Sequence, residues 1–199
     1  MGTRHIICIF WQGKWYLAQF GPWDGYPSGQ GAKIFNFLSI PTNIENLKAG
    51  LQYCTYILTE EDNKTFPSNR TRKEETLQPA ICAKILDVIA NAGAQVLEVM
   101  KDDPHYDANE SDKLLLNLEL EFVLDTVFCE WTYVIDLDLS VLEVYAGRQQ
   151  KTETHRFRDL GRPESSVPVL IAAFDFVTLR TITEELFLTA CRDSDSEEE

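Results

Sequence analysis

Ile6-Ile7-Cys8-Ile9-Phe10-Trp11 is a run of six residues without a charged or amide side chain. Along a strand, successive side chains face opposite ways. Ile6, Cys8 and Phe10 therefore share one face, and Ile7, Ile9 and Trp11 the other. A strand with one wet face alternates apolar and polar residues. A run that is apolar on both faces belongs in a sheet covered on both sides. Gln12-Gly13-Lys14 follows, a turn signal with glycine in it, and Trp15 to Phe20 is a second β-rich run. The two runs predict an N-terminal hairpin with both strands interior.

The hairpin leads into Gly21-Pro-Trp-Asp-Gly-Tyr-Pro-Ser-Gly-Gln-Gly31, which holds four of the ten glycines in the chain. Glycine permits close backbone approach and proline fixes φ, so this segment takes one shaped path. A flexible linker would lack Trp23 and Tyr26. Function concentrates on loops held by rigid elements, which makes this loop the candidate site. Trp23 and Tyr26 supply aromatic walls, Asp24 a polar anchor, and Gly25, Gly29 and Gly31 bare backbone. A hairpin returns the chain to where it began, so Arg4 should lie across from Asp24 as a cation. The competing reading is a loop whose aromatics cap the core, with Asp24 bonded to its own backbone.

Beyond the loop, Ile34, Phe35 and Leu38 predict a short helix from Ala32 that Pro41 breaks. Thr42-x-x-Glu45 reads as a capping box opening a second helix with Ile44, Leu47 and Leu51 on its apolar stripe. Residues 59–76 read as a loop, and Pro79 with Ile81, Ile85 and Ile89 as a helix ended at Gly93. Gln95 to Met100 is a short strand or a helix continuation. Residues 101–113 read as an acidic loop. Leu116, Leu118, Leu120 and Phe122 alternate with polar residues, which predicts a half-exposed strand carrying Glu119 and Glu121 on its wet face. Glu130 to Leu137 and Val141 to Ala146 read as a second hairpin, residues 147–167 as a loop, and Pro168 to Phe176 as an apolar strand in the middle of a layer. Thr181-x-x-Glu184 repeats the capping-box signal before a last helix with Leu186 and Ala190.

Runs of strands separated from runs of helices indicate an α+β fold, with antiparallel sheet layers covered by helices. Residues 1–192 suit one such domain, and the Ser/Glu-rich stretch 193–199 reads as a disordered acidic tail.

Met1-Gly-Thr-Arg4, Gln19-Phe20-Gly21 and the Trp23-Asp-Gly-Tyr-Pro-x-Gly-x-Gly31 motif resemble an uncharacterised family of fungal, bacterial and phage proteins. Cys129 to Asp138 and Leu142 to Tyr145 look like a second block of that family. The order of elements resembles the layout of N-terminal nucleophile hydrolases, two stacked sheets between helices, whose opening hairpin presents the chain's own N-terminus to an active site. That resemblance implies amide hydrolysis by a terminal Ser, Thr or Cys with its own amine as base. In this chain the nucleophile would be Thr3, exposed only after loss of both Met1 and Gly2.

Composition narrows the partners. The formal net charge of −14 argues against general nucleic-acid binding, leaving a small molecule or a protein as the ligand. No apolar run is long enough to span a bilayer and no signal-peptide pattern opens the chain, so the sequence reads as soluble and cytoplasmic. The five cysteines are scattered among apolar neighbours, as reduced buried thiols are, and no pair has zinc-ligand spacing. No metal site and no cofactor motif is read from the sequence. Two loops, residues 64–73 and 147–162, concentrate basic residues. They are either solvated surface or a focus for an anionic ligand. His5, beside Arg4, is the one histidine near the proposed site in sequence. It reads as a surface or satisfied histidine.

Overall fold

A computed structural model of the protein describes residues 2–52, 54–56, 94–102, 114–116 and 119–192. Its centre is β1, His5–Trp11, in which Ile6, Ile7, Cys8 and Ile9 are all fully buried. Gln12 and Gly13 both have positive φ, 51° and 73°, the geometry that suits a two-residue hairpin turn, and β2 follows as Lys14–Gly21. The chain then makes a wide turn over Pro27–Gly31 and continues into α1, Ala32–Leu38, and α2, Pro41–Leu51. Next come β3, Cys54–Tyr56, then α3, Gln95–Asp102, and β4, Leu114–Leu116. A 3-10 turn at Leu120–Leu124 precedes β5, Trp131–Asp136, β6, Val141–Gln150, and β7, Ser166–Asp175. Two short helices close the chain, α4 at Phe176–Leu179 and α5 at Glu184–Ala190.

The fold is α+β. Five strands form one sheet in the order β2-β1-β5-β6-β7. The sheet is mixed rather than wholly antiparallel, because β5 runs parallel to β1, with His5 opposite Trp131. A parallel neighbour needs a long crossover, and here the helices supply it. Among the described residues the other sheet is a two-stranded parallel pairing of β3 with β4, so stacked large sheets are not seen there. One face of the large sheet packs Ile7, Ile9, Tyr133 and Ile135 against α1, α2, α3 and α5. The other packs Ile6, Cys8, Val134 and Tyr145 against Leu120, Val123 and Phe157. Each such buried side chain contributes about 1.5–3 kcal/mol.

Several sequence expectations need correction. β1 is interior, but β2 and β7 are the sheet's edges, and Leu170 of β7 is exposed. The apolar run in β7 packs Phe174 into one core and Val167 into the other, while Leu170 between them is exposed at the sheet's edge. Leu120 to Leu124 is a 3-10 turn, not a strand, because a three-residue repeat buries Leu120 and Val123 together. Glu119 and Glu121 are both exposed as expected. Thr42 makes no capping box: α2 starts at Pro41, whose fixed φ suits the first helical position, and leaves Thr42 inside the helix. In α5 the cap is Thr183, accepting from Leu186 N, and Phe187 is the buried anchor while Leu186 is exposed. Gln95 onward is helical. The loop at residues 59–76, the helix from Pro79, most of the acidic loop 101–113 and the tail 193–199 lie outside the described residues.

Candidate functional site at the start of the first strand

The Gly21–Gly31 loop runs from the end of β2 over the start of β1 to α1. Asp24 adopts a left-handed φ of 58°, which Asp tolerates better than most side chains. The Asp24 carbonyl accepts from Gln30 N (2.9 Å), and the Tyr26 carbonyl from Gly29 N (2.9 Å). Tyr133, on the neighbouring strand β5, donates its hydroxyl to the Gly25 carbonyl at 2.8 Å. Gln30 accepts from Ala94 N at 2.9 Å, tying the loop to α3. Wide turns of this kind recur at functional sites. The loop backbone is thus fixed from several directions, and Gly25, Pro27, Gly29, Gln30 and Gly31 are buried.

The two aromatics point the other way. Trp23 is 66% exposed and Tyr26 52% exposed. Trp23 lays part of its ring against Gly2, where any side chain at position 2 would collide with it. Asp24 is paired with Lys33 at 3.4 Å, both half-exposed. The sequence placed Arg4 across from Asp24. The structure does bring their backbones to one end of the sheet, where Gly25 N donates to the Thr3 carbonyl at 3.0 Å. The Arg4 guanidinium, however, lies over Phe128, 4.5 Å from the ring centre. Its backbone is clamped by Glu130, whose side chain accepts from Arg4 N at 3.1 Å and whose own N–H donates to the Arg4 carbonyl.

Thr3 and His5 share a side of the N-terminal segment opposite to Arg4, and both are buried. His5, read from the sequence as a surface or satisfied histidine, is instead buried and unsatisfied. Its ring is 1% exposed and packs so closely against Gly21 that a Cβ there would overlap it. Neither ring nitrogen has a hydrogen-bond partner of normal geometry, the Thr3 backbone making at most a weak contact with the ring. Burial pulls the imidazole down from its usual 6.5 to about 4; the Asp24 carboxylate opposes that shift, Lys33 adds to it, and the Thr3 backbone opposes it. His5 is therefore a neutral imidazole holding one donor and one acceptor in a place where buried polar atoms are ordinarily paired. A lone histidine in an apolar run carries no sequence signal of this.

The second basic loop has a different character. Arg156 forms ion pairs with Asp136 (2.7 Å) and with Glu143. Lys151 donates to the carbonyls of Leu160 and Arg162. Arg158 donates to the Glu153 carbonyl at 2.9 Å. His155 accepts from Phe157 N at one ring nitrogen and contacts the Pro168 carbonyl with the other. Arg156 ties the loop to β5 and β6, Lys151 and Arg158 brace it from within, and Arg148 and Arg162 are exposed. The first basic loop, 64–73, lies outside the described residues. Among the described residues no group of three His, Cys, Asp or Glu side chains is placed to hold a metal ion, and no helix is long and apolar enough to cross a membrane. Cys8, Cys129 and Cys191 are free, buried thiols, and burial pushes Cys129 up to about 12.

Among family models, curated proteins and solved structures, none matches this chain.

Proposed function

We propose that the protein is a binding module of the cytoplasm whose recognition surface is the Gly21–Gly31 loop, with Trp23 and Tyr26 contacting the ligand and Asp24 orienting it. The observation that carries this reading is the contrast within one loop. Its backbone is buried and bonded on every side, yet its two largest side chains face solvent. Aromatics that served only to cap the core would be buried by it. Rigid aromatics on a fixed backbone bind with little loss of conformational freedom. The resemblance to the fungal, bacterial and phage family belongs to the same reading. Its two sequence blocks meet in space, joined by the bond from Tyr133 to Gly25.

The test is fluorine NMR on protein labelled with 5-fluorotryptophan, titrated with a library of small fragments. Trp23 is the exposed tryptophan, and Trp11, Trp15 and Trp131 are partly covered. Fragments should move the Trp23 resonance and leave the other three in place. Hits that avoid Trp23 would remove the loop as the site.

A second reading is amide hydrolysis of the N-terminal nucleophile type, favoured by the position of Thr3 directly beneath the loop. Thr3 would attack with its own amine as base, while Asp24 positions substrate. It requires loss of Met1 and Gly2, which would also free Trp23 from its contact with Gly2. Intact-mass measurement on protein from its native host decides the matter: a chain starting at Thr3 supports hydrolysis, and one starting at Met1 or Gly2 excludes it.

A further inference from the structure

Three segments converge at the end of the sheet where β1 begins. The segment before β1 lies between the Gly21–Gly31 loop on one side and residues 125–130 on the other. Gly2 touches Trp23, and Arg4, two residues on, touches Phe128. Residues spaced by two along an extended segment share a side, about 7 Å apart. The Asp125 carbonyl accepts from Phe128 N at 2.9 Å, so Asp125 and Phe128 belong to one tight turn. The two segments that flank residues 2–4 thus expose Trp23 and Tyr26 on one side and Val127 (69% exposed) and Phe128 (47% exposed) on the other, and the same segments carry Asp24, Asp125 and Glu130. Exposed apolar area rimmed by polar residues marks an interaction surface, and aromatic side chains dominate binding energy there.

We propose that this patch docks a basic segment of another protein, whose Arg or Lys side chains stack on Trp23 and Tyr26 and pair with the surrounding carboxylates. The proposal rests on the loop being a binding site, and it specifies the partner. The molecule already shows the contact in miniature, with the Arg4 guanidinium on the Phe128 ring. Cations are attracted to aromatic faces, more so when partly desolvated. Among the described residues, Lys33 and Arg4 are the cations at this end, and both are engaged within the chain, Lys33 by Asp24 and Arg4 by Phe128. The patch itself is acidic on balance, on a chain of net charge −14 that steers basic partners toward it. The same charge opposes a second copy of this chain.

Fluorescein-labelled deca-arginine and deca-glutamate serve as probes for the full chain, with binding read by anisotropy at 50 and 150 mM salt. Deca-arginine should bind, less tightly at the higher salt, and the variant W23A/F128A should weaken it at least tenfold. L139A alters an exposed residue at the far end of the sheet and should leave binding unchanged. Equal binding by wild type and W23A/F128A would reduce the effect to diffuse charge attraction and overturn the proposal. Preference for deca-glutamate, or self-association that W23A/F128A abolishes, would overturn it in favour of an acidic partner or a second copy. If fragments move the Trp23 fluorine signal while deca-arginine fails to bind, the loop remains a site and only the basic partner falls.

Discussion

Two loops crowd polar residues against the same sheet, and they use them in opposite ways. Residues 151–165 give their buried polar groups partners: Lys151 and Arg158 bond backbone carbonyls, His155 is bonded at both ring nitrogens, and Arg156 is paired with two carboxylates. The Gly21–Gly31 loop turns its backbone inward and its large side chains out, over a buried histidine with no hydrogen-bond partner of normal geometry. A loop whose buried polar groups are partnered is accounted for by folding. A loop with exposed aromatics above an unpaired imidazole is not, and that difference is the ground on which the site is proposed.

The largest effect should come from the partnered loop. Arg156→Met leaves the buried Asp136 carboxylate and its neighbour Glu143 without their cation, and removing one member of such a cluster costs about 3–5 kcal/mol. Urea denaturation should show that loss. A loss below about 1 kcal/mol would make the loop no better anchored than a surface ion pair, and the contrast would fail.

The unpartnered histidine should behave in the reverse sense. Its folded value, about 4, lies below the unfolded 6.5, so the unfolded chain binds the proton more tightly. The stability associated with neutral His5 is complete above pH 6.5 and is lost as pH falls toward 4, by on the order of 3 kcal/mol. His5→Leu should abolish that part of the pH dependence and be at least as stable at pH 7, since it replaces an unpaired polar group with an apolar one. Parallel stability curves for wild type and variant between pH 6.5 and 4 would show that His5 is not held neutral.

These outcomes bear on how much the sequence discloses. The central strand was readable because Ile6 to Ile9 must be covered on both faces, and the loop's role in the fold because glycine and proline leave few paths. The parallel pairing of β1 with β5 was not readable. It joins His5 to Trp131 across the whole helical crossover, and neither strand carries a mark of its neighbour's direction. Arg4 was placed by the hairpin alone, without the turn at residues 125–130 that brings Phe128 beneath it. The period-two pattern from Leu116 to Phe122 misled because Leu120 is buried together with Val123, three residues on, in a 3-10 turn. At the second basic loop, charge counting could not reveal that Arg156 reaches back to the β5–β6 hairpin.

A smaller effect tests the packing of loop against strand. Gly21→Ala would push its new methyl into the His5 ring, and overpacking of this kind costs about 1–3 kcal/mol. In a His5→Ala background the same substitution should cost little, because the colliding ring is gone. An undiminished penalty in that background would place the strain in the backbone instead.

The smallest expected effect tests the central claim most directly. If Trp23 and Tyr26 are displayed for a ligand, their removal should hardly alter the fold. Urea denaturation of W23A/Y26A at pH 7 should give a stability within about 0.5 kcal/mol of wild type per substitution, as for surface positions elsewhere. A loss of 3 kcal/mol or more, the range for aromatics taken from a core, would contradict the account and return the loop to a purely structural role.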